Sequence, residues 1–309
     1  MTPLVPNCVV VRVPGKVNLQ LSVGPKEDDN FHGVVTVFQA ISLFDDVTVV
    51  RGDSGTGISV QILGDHTHGV PSDGTNLSAR AAALMCEKYD LSMDLSIEIK
   101  KSIPVAGGMA GGSADAAATI VAIDALFSLG LSRDEMHEIA AMLGSDVPFM
   151  LAGGTAVGRG RGDQVTSALS RGTYHWVLAL STAGLSTPAV YGECDRLRAG
   201  MDVATPHVND QLLQALLAAD PVALGKGLIN DLQAAACSLR PALRLILDVG
   251  SEYGALGSIV SGSGPTVAFL VSDEDHALDL AVALTSSGVV GSVTRVSGPV
   301  PGAKIIDVR

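Results

Sequence analysis

From Ile103 to Thr119 the chain reads IPVAGGMAGGSADAAAT, and this window limits the possible folds more than any other. Gly107, Gly108, Gly111, Gly112 and Ser113 leave the backbone almost bare of side chains. Glycine lacks a Cβ and reaches positive φ, so such a backbone can curl and bring its N–H groups close to a ligand. Behind it, Ala114, Ala116, Ala117, Ala118, Val121, Ala122 and Ala125 make good helix material with a small apolar face. The pattern predicts a glycine loop opening a buried helix. Free N–H groups and the positive end of the helix dipole converge there, which suits a phosphate. Small residues also permit close helix packing, which is the alternative reading. Two familiar phosphate loops are excluded: no Lys-Ser or Lys-Thr follows the glycines, and the G-x-G-x-x-G spacing is absent.

A chain of 309 residues holds one large domain or two ordinary ones. Its net charge is −12 and no block of basic residues appears, which argues against nucleic acid and anionic membranes as partners. A phosphorylated small molecule needs only local donors and stays open. Cys8, Cys86, Cys194 and Cys237 are far apart and form no C-x-x-C pair, as in a reduced cytoplasmic protein. No signal-like N-terminus is seen, and no apolar run reaches the roughly 18 residues of a membrane span. Oligomeric state is not readable from the residues.

Taken in order, Val9–Val13 reads as a short strand broken by Pro14-Gly15. Lys16 to Leu21 then alternates, with Lys16 and Asn18 on one face. Val34–Leu43 and Val47–Val50 read as two strands joined by Phe44-Asp45-Asp46. His66 and His68 lack the partners a metal site needs. Asn76–Tyr89 is a helix and Leu95–Lys101 an alternating strand, whose Lys100-Lys101 end is either solvated or adds positive potential for phosphates. Ser132 and Glu135 form a capping box, and Gly144 ends that helix. Pro148 pushes Val147 towards an extended backbone, so Asp146 stands at a sharp junction, where its ordinary role is a cap or turn former. Ala152–Asp163 is a glycine-rich strand and turn carrying Arg159 and Arg161. Beyond Thr166, strands at 176–180, 266–271 and 292–296 alternate with helices, and Ile259–Pro265 is a second small-residue loop. Mixed alternation of this kind predicts two α+β domains.

Eight segments, in this order, resemble the GHMP kinases: PGKVNLQL (14–21), FH (31–32), TNL (75–77), IPVAGGMAGGSADAAA (103–118), LGSDVPF (143–149), GGTAVGRGRGD (153–163), STPAVY (186–191) and SGSGP (261–265). Each is weak alone, but together they span nearly the whole chain. The resemblance implies an α+β fold with an N-terminal ribosomal-protein-S5-like domain (1–165) and a C-terminal ferredoxin-like domain (166–309). It implies an ATP- and Mg2+-dependent kinase of a small molecule. Within the superfamily the likeness is to the branch acting on a cytidine diphosphate derivative in the non-mevalonate route to isoprenoid precursors. Other branches, acting on mevalonate, homoserine or a sugar, remain open, as does a non-catalytic nucleotide-binding protein on the same fold.

The resemblance also implies roles. Asp146 is the general base and Lys16 its partner. Pro104, Val105, Ala106, Gly107, Gly108, Met109, Ala110, Gly111, Gly112, Ser113 and Ala114 cradle the ATP phosphates, with Asn76 and Leu77 on the nucleotide side. Asn18, Thr187, Gly262 and Ser263 contact the acceptor substrate. Phe31 and Tyr191 wall in its base, whose edge is read by the His32 backbone. Ser113 is the candidate magnesium ligand. Two departures stand out. Asp29-Asn30-Phe31-His32 replaces the usual Asp-Gly-Tyr-His, and Met109-Ala110 replaces Leu-Gly. The second is expected to be harmless if neither residue needs positive φ.

Overall fold

A computed structural model describes residues 6–105, 107–181 and 184–309. The N-terminal half runs β1 (Cys8–Lys26), β2 (His32–Arg51), β3 (Ile58–Gly64), α1 (Leu77–Tyr89), β4 (Leu95–Lys101), α2 (Gly111–Phe127), α3 (Arg133–Leu143), α4 (Val147–Ala152), β5 (Thr155–Arg159) and β6 (Gln164–Ser167). The remainder runs β7 (Tyr174–Leu180), α5 (Thr187–Leu197), α6 (Asp210–Ala218), α7 (Pro221–Gly227), β8 (Ile229–Asn230), α8 (Gln233–Leu239), α9 (Ala242–Glu252), β9 (Gly257–Val260), β10 (Val267–Val271), α10 (Glu274–Ser287), β11 (Ser292–Gly298) and β12 (Lys304–Val308).

The first sheet has the central order β12-β1-β2-β4-β3, with β5, β6 and β8 attached at its side. Its spine is the long hairpin β1–β2. Pro14-Gly15 does not end β1 as expected. It makes a register shift, and the strand continues through Lys16. Phe44-Asp45-Asp46 likewise stays inside one continuous β2. The two ends of β2 serve different partners: Thr36–Gln39 pairs with β5 and Asp46–Arg51 with β4.

The second sheet is antiparallel, in the order β11-β7-β10-β9. Numbered within the sheet that is 4-1-3-2, the ferredoxin-like arrangement. The expected boundary between residues 165 and 166 needs correction, because it falls inside β6. Moreover, β12 returns to pair with β1, so residues 304–308 belong to the first sheet.

Helix α2 explains the alanines. Ala114, Ala116, Ala117, Ala118 and Ala122 are fully buried, and α2 touches β1, β2, α1 and α4 together. Four elements can surround one helix only if its side chains are short. The same helix presents its N-terminus to the site described next.

Candidate active site

The glycine loop leads into α2 as expected. One cavity of about 510 Å³ opens between it, β1, the start of α4 and the second glycine loop. Pro104, Gly107, Gly108, Ala110, Gly111, Gly112 and Ser113 line it. Val105 is exposed, Met109 and Ala114 are buried beneath, and none of these three lines the cavity. Ala106 lies outside the described residues.

The two glycine loops are built against each other. Gly108 has φ +75°, and a Cβ there would collide with the Ser261 carbonyl oxygen. Ser261 Oγ donates to the Gly108 carbonyl at 3.1 Å. Gly262, at φ +58°, would place a Cβ 3.3 Å from Lys16 Nζ. Thr187 Oγ1 and Ser263 Oγ, both on the cavity wall, share a hydrogen bond of 2.9 Å.

The register shift in β1 has a use here. Lys16, still in register with Ala40 of β2, donates its backbone N–H to the Met109 carbonyl at 3.3 Å, tying the strand to the loop. The Lys16 side chain is buried and donates through Nζ to Asn18 Oδ1 at 2.5 Å. Asn18 Nδ2 donates to Thr36 Oγ1 at 2.8 Å, and Thr36 Oγ1 donates to the Gln20 carbonyl at 2.7 Å. Asn18 lines the cavity, yet both ends of its amide are engaged inside the protein, which makes it an orienter of Lys16. Lys16 Nζ lies 3.9 Å from Asp146 Oδ2. Burial pulls the ammonium below its ordinary value, and Asp146 opposes that shift.

Asp146 sits at the N-cap of α4, a helix the sequence reading missed. Pro148 falls in its first turn, where proline is at home, so Val147 is helical rather than extended. The Asp146 side chain makes no capping bond, unlike those of Ser132 and Asn209 at other helix starts. Its carboxylate is left for the cavity.

Asn76, expected on the nucleotide side, caps α1: its Oδ1 accepts from Ser78 N and its Nδ2 donates to the Pro71 carbonyl. It does not line the cavity, while Leu77 does. Tyr191 also lines the cavity, and burial, then the charge of Asp146, pushes its hydroxyl up to about 12. Its ring lies 5.2 Å from that of His32, whose Nε2 bonds Asp195 Oδ1 at 2.7 Å. Phe31 and His32 do not line the cavity: His32 is buried behind it, and Phe31 is exposed beneath the Arg161 guanidinium, 3.9 Å from its ring centroid. Asn30, in place of the usual glycine, has φ +66°, a conformation asparagine tolerates.

Ala110 overturns one expectation. It has φ +58°, in the left-handed region, at the N-cap of α2. A side chain there costs about 1–2 kcal/mol. Ala110→Gly is therefore expected to raise stability by roughly 0.5–1 kcal/mol, after the extra freedom glycine gains in the unfolded chain is subtracted. Chemical denaturation reads this directly, and a variant less stable than the wild type would show that the Ala110 methyl is needed for packing.

The sequence reading also missed a buried triad below the loop. Lys101 Nζ donates to Asp45 Oδ2 at 2.5 Å and to Asp115 Oδ2 at 2.8 Å. Asp45 Oδ1 accepts from Ser102 N and Ile103 N. Thus one ammonium joins β2, the strand entering the loop and the helix leaving it. Lys101 is neither solvated nor turned to the cavity. The signal was present, since Leu95, Ile97 and Ile99 point inward and Lys101 is next in that alternation.

The N-terminal domain model of the GHMP kinases matches residues 76–154 and their C-terminal model matches 212–290. A 4-diphosphocytidyl-2-C-methyl-D-erythritol kinase of Mycolicibacterium smegmatis is 52% identical over 300 residues, covering 96% of this chain and 92% of that protein. One from Thermobifida fusca is 51% identical, covering 97% and 99%. The chain belongs to the 4-diphosphocytidyl-2-C-methyl-D-erythritol kinase family. A crystal structure of a 4-(cytidine 5'-diphospho)-2C-methyl-D-erythritol kinase superposes with a TM-score of 0.73 at 29% identity, covering 93% of this chain and 98% of that one. A homoserine kinase from Cytophaga hutchinsonii gives 0.76 at 18% identity and shares the fold. As a member of this kinase family the chain uses ATP as phosphoryl donor to a small molecule. Among the described residues no helix is long and apolar enough to cross a membrane.

Proposed function

We propose that the chain transfers the γ-phosphoryl group of ATP to the 2-hydroxyl of 4-diphosphocytidyl-2-C-methyl-D-erythritol, in the cytoplasm, on the non-mevalonate route to isoprenoid precursors. The observation that carries the chemistry is the Lys16–Asp146 pair, 3.9 Å apart on a cavity that the glycine loop also lines. The names of the relatives supply the acceptor. In this reading Asp146 takes the proton of the attacking hydroxyl. Lys16, aimed by Asn18, offers positive charge to the transferred group. Phosphoryl transfer asks the protein mainly for position and charge, and the loop N–H groups and α2 dipole supply both. Phe31, His32 and Tyr191 hold the base, and Thr187, Gly262 and Ser263 the rest of the acceptor.

Magnesium fits this cavity in a particular way. Among the described residues no group of three or more His, Cys, Asp or Glu is placed to hold a metal alone. Magnesium in phosphoryl-transfer sites relies on substrate phosphates and water instead of a protein cage. The Ser113 hydroxyl, in the first turn of α2 and on the cavity wall, fits as a protein ligand. The ion would offset charge on the ATP phosphates.

ADP release with ATP-Mg tests the reading: turnover is expected with the diphosphocytidyl acceptor and not with mevalonate or homoserine. Turnover with either of those, or ATP binding without turnover, would overturn it. Tyr191→Ala adds a second measurement. Base stacking is worth about 1–3 kcal/mol, so acceptor affinity is expected to fall roughly 5- to 150-fold, with ATP affinity nearly unchanged. Equal losses for both ligands would leave Tyr191 a packing role against His32.

A further inference from the structure

The charges lining the cavity are few. Among the described lining residues the cations are Lys16 and Arg161, and the acid is Asp146. In a chain of net charge −12 this is a locally positive pocket. Lys16 is committed at the reacting end, between Asn18 and Asp146. Arg161 is the cation that solvent reaches, with its side chain 54% exposed. Its backbone is fixed by the turn between β5 and β6: Gly162 N donates to the Arg159 carbonyl, Val34 N to the Gly160 carbonyl, and Arg161 N to Asp163 Oδ1. The guanidinium lies over Phe31 and bonds Asp29 Oδ2 through Nη2 at 2.7 Å. A guanidinium has five N–H donors in a planar fork, so donors remain for a second oxyanion.

We propose that Arg161 binds the diphosphate bridge of the acceptor and is the residue that selects a nucleoside diphosphate over a nucleoside. This rests on the function proposed above. In that substrate the bridge lies between the base and the hydroxyl-bearing carbon chain. Arg161 stands at the matching place, stacked on Phe31 at the base end and lining the same cavity as Asp146. Asp29 holds the fork in place before substrate arrives.

Calorimetric titration of CDP and of cytidine into wild type, Arg161→Met and Arg161→Lys tests this. Charge-assisted bonds at a half-exposed site are partly screened, so Arg161→Met is expected to lose roughly 5- to 50-fold in CDP affinity. Cytidine affinity should barely move, and the salt dependence of CDP binding should flatten. Arg161→Lys keeps the charge without the fork and is expected to recover part of the loss. Wild type and Arg161→Met binding CDP equally would overturn the proposal while leaving the acceptor assignment standing. Equal losses for CDP and cytidine would also overturn it, since Arg161 would then only support Phe31. Failure of wild type to bind CDP at all would overturn both readings.

Discussion

Asp146→Asn is expected to bind both substrates and lose about 10²–10⁴-fold in kcat, the usual contribution of a general base. The amide keeps the shape and cannot accept the proton. The geometry favours a large effect. Asp146 begins α4 without capping it, so the substitution removes no helix cap. Lys16 is aimed at it by a relay of Asn18, Thr36 and the Gln20 carbonyl, all of it intact in the variant. Single-turnover kinetics with saturating ATP separates chemistry from binding. A kcat within about threefold of wild type, roughly 0.6 kcal/mol, would remove Asp146 from the proton transfer.

Lys101→Met is expected to cost about 3–5 kcal/mol of folding stability, because it leaves a buried carboxylate without its cation. Native domains are stable by about 5–15 kcal/mol, so the variant should denature at a much lower guanidinium concentration. Asp45 keeps its bonds from Ser102 N and Ile103 N in the variant. Asp115 Oδ1 is buried without a hydrogen bond, and burial pushes this carboxyl up to about 8. Between the ordinary value of 3.8 and about 8 the folded chain therefore holds a proton that the unfolded chain has released. That contribution to stability is full below about pH 4 and is lost as pH rises through about 8. Asp115→Asn removes this slope, so its stability relative to wild type should improve by up to about 4 kcal/mol from pH 5 to 9. A flat difference would place the proton elsewhere in the triad. A Lys101→Met loss below about 1 kcal/mol would mean that both acids can be neutralised in place.

Local chemistry was legible where one segment carries its own instruction. The glycines and alanines of 103–126 specify a loop and a buried helix, and Ser132 with Glu135 specifies a cap that forms as expected. Contacts between distant segments were not legible. Asp146 followed by Pro148 is a helix-start signal that the sequence reading missed, but nothing in SDVPF says that the Asp146 side chain makes no capping bond. Nothing near Asp45 names Lys101, which is 56 residues away. Ala110 was misjudged because nothing in an alanine signals the left-handed backbone it takes where the loop turns into α2.

Strand β12 has a consequence for how the chain is made. Val9–Arg12 of β1 pairs with Lys304–Val308, and the whole second sheet is synthesised between them. At about 5–20 residues per second, the 292 positions from Arg12 to Lys304 take roughly 15–60 s. For that time the nascent first sheet exposes the unpaired N–H and C=O groups of a valine-rich edge, the kind of surface that recruits foreign strands. The nascent chain is thus open to mispairing along β1 until β12 is made and covers that edge.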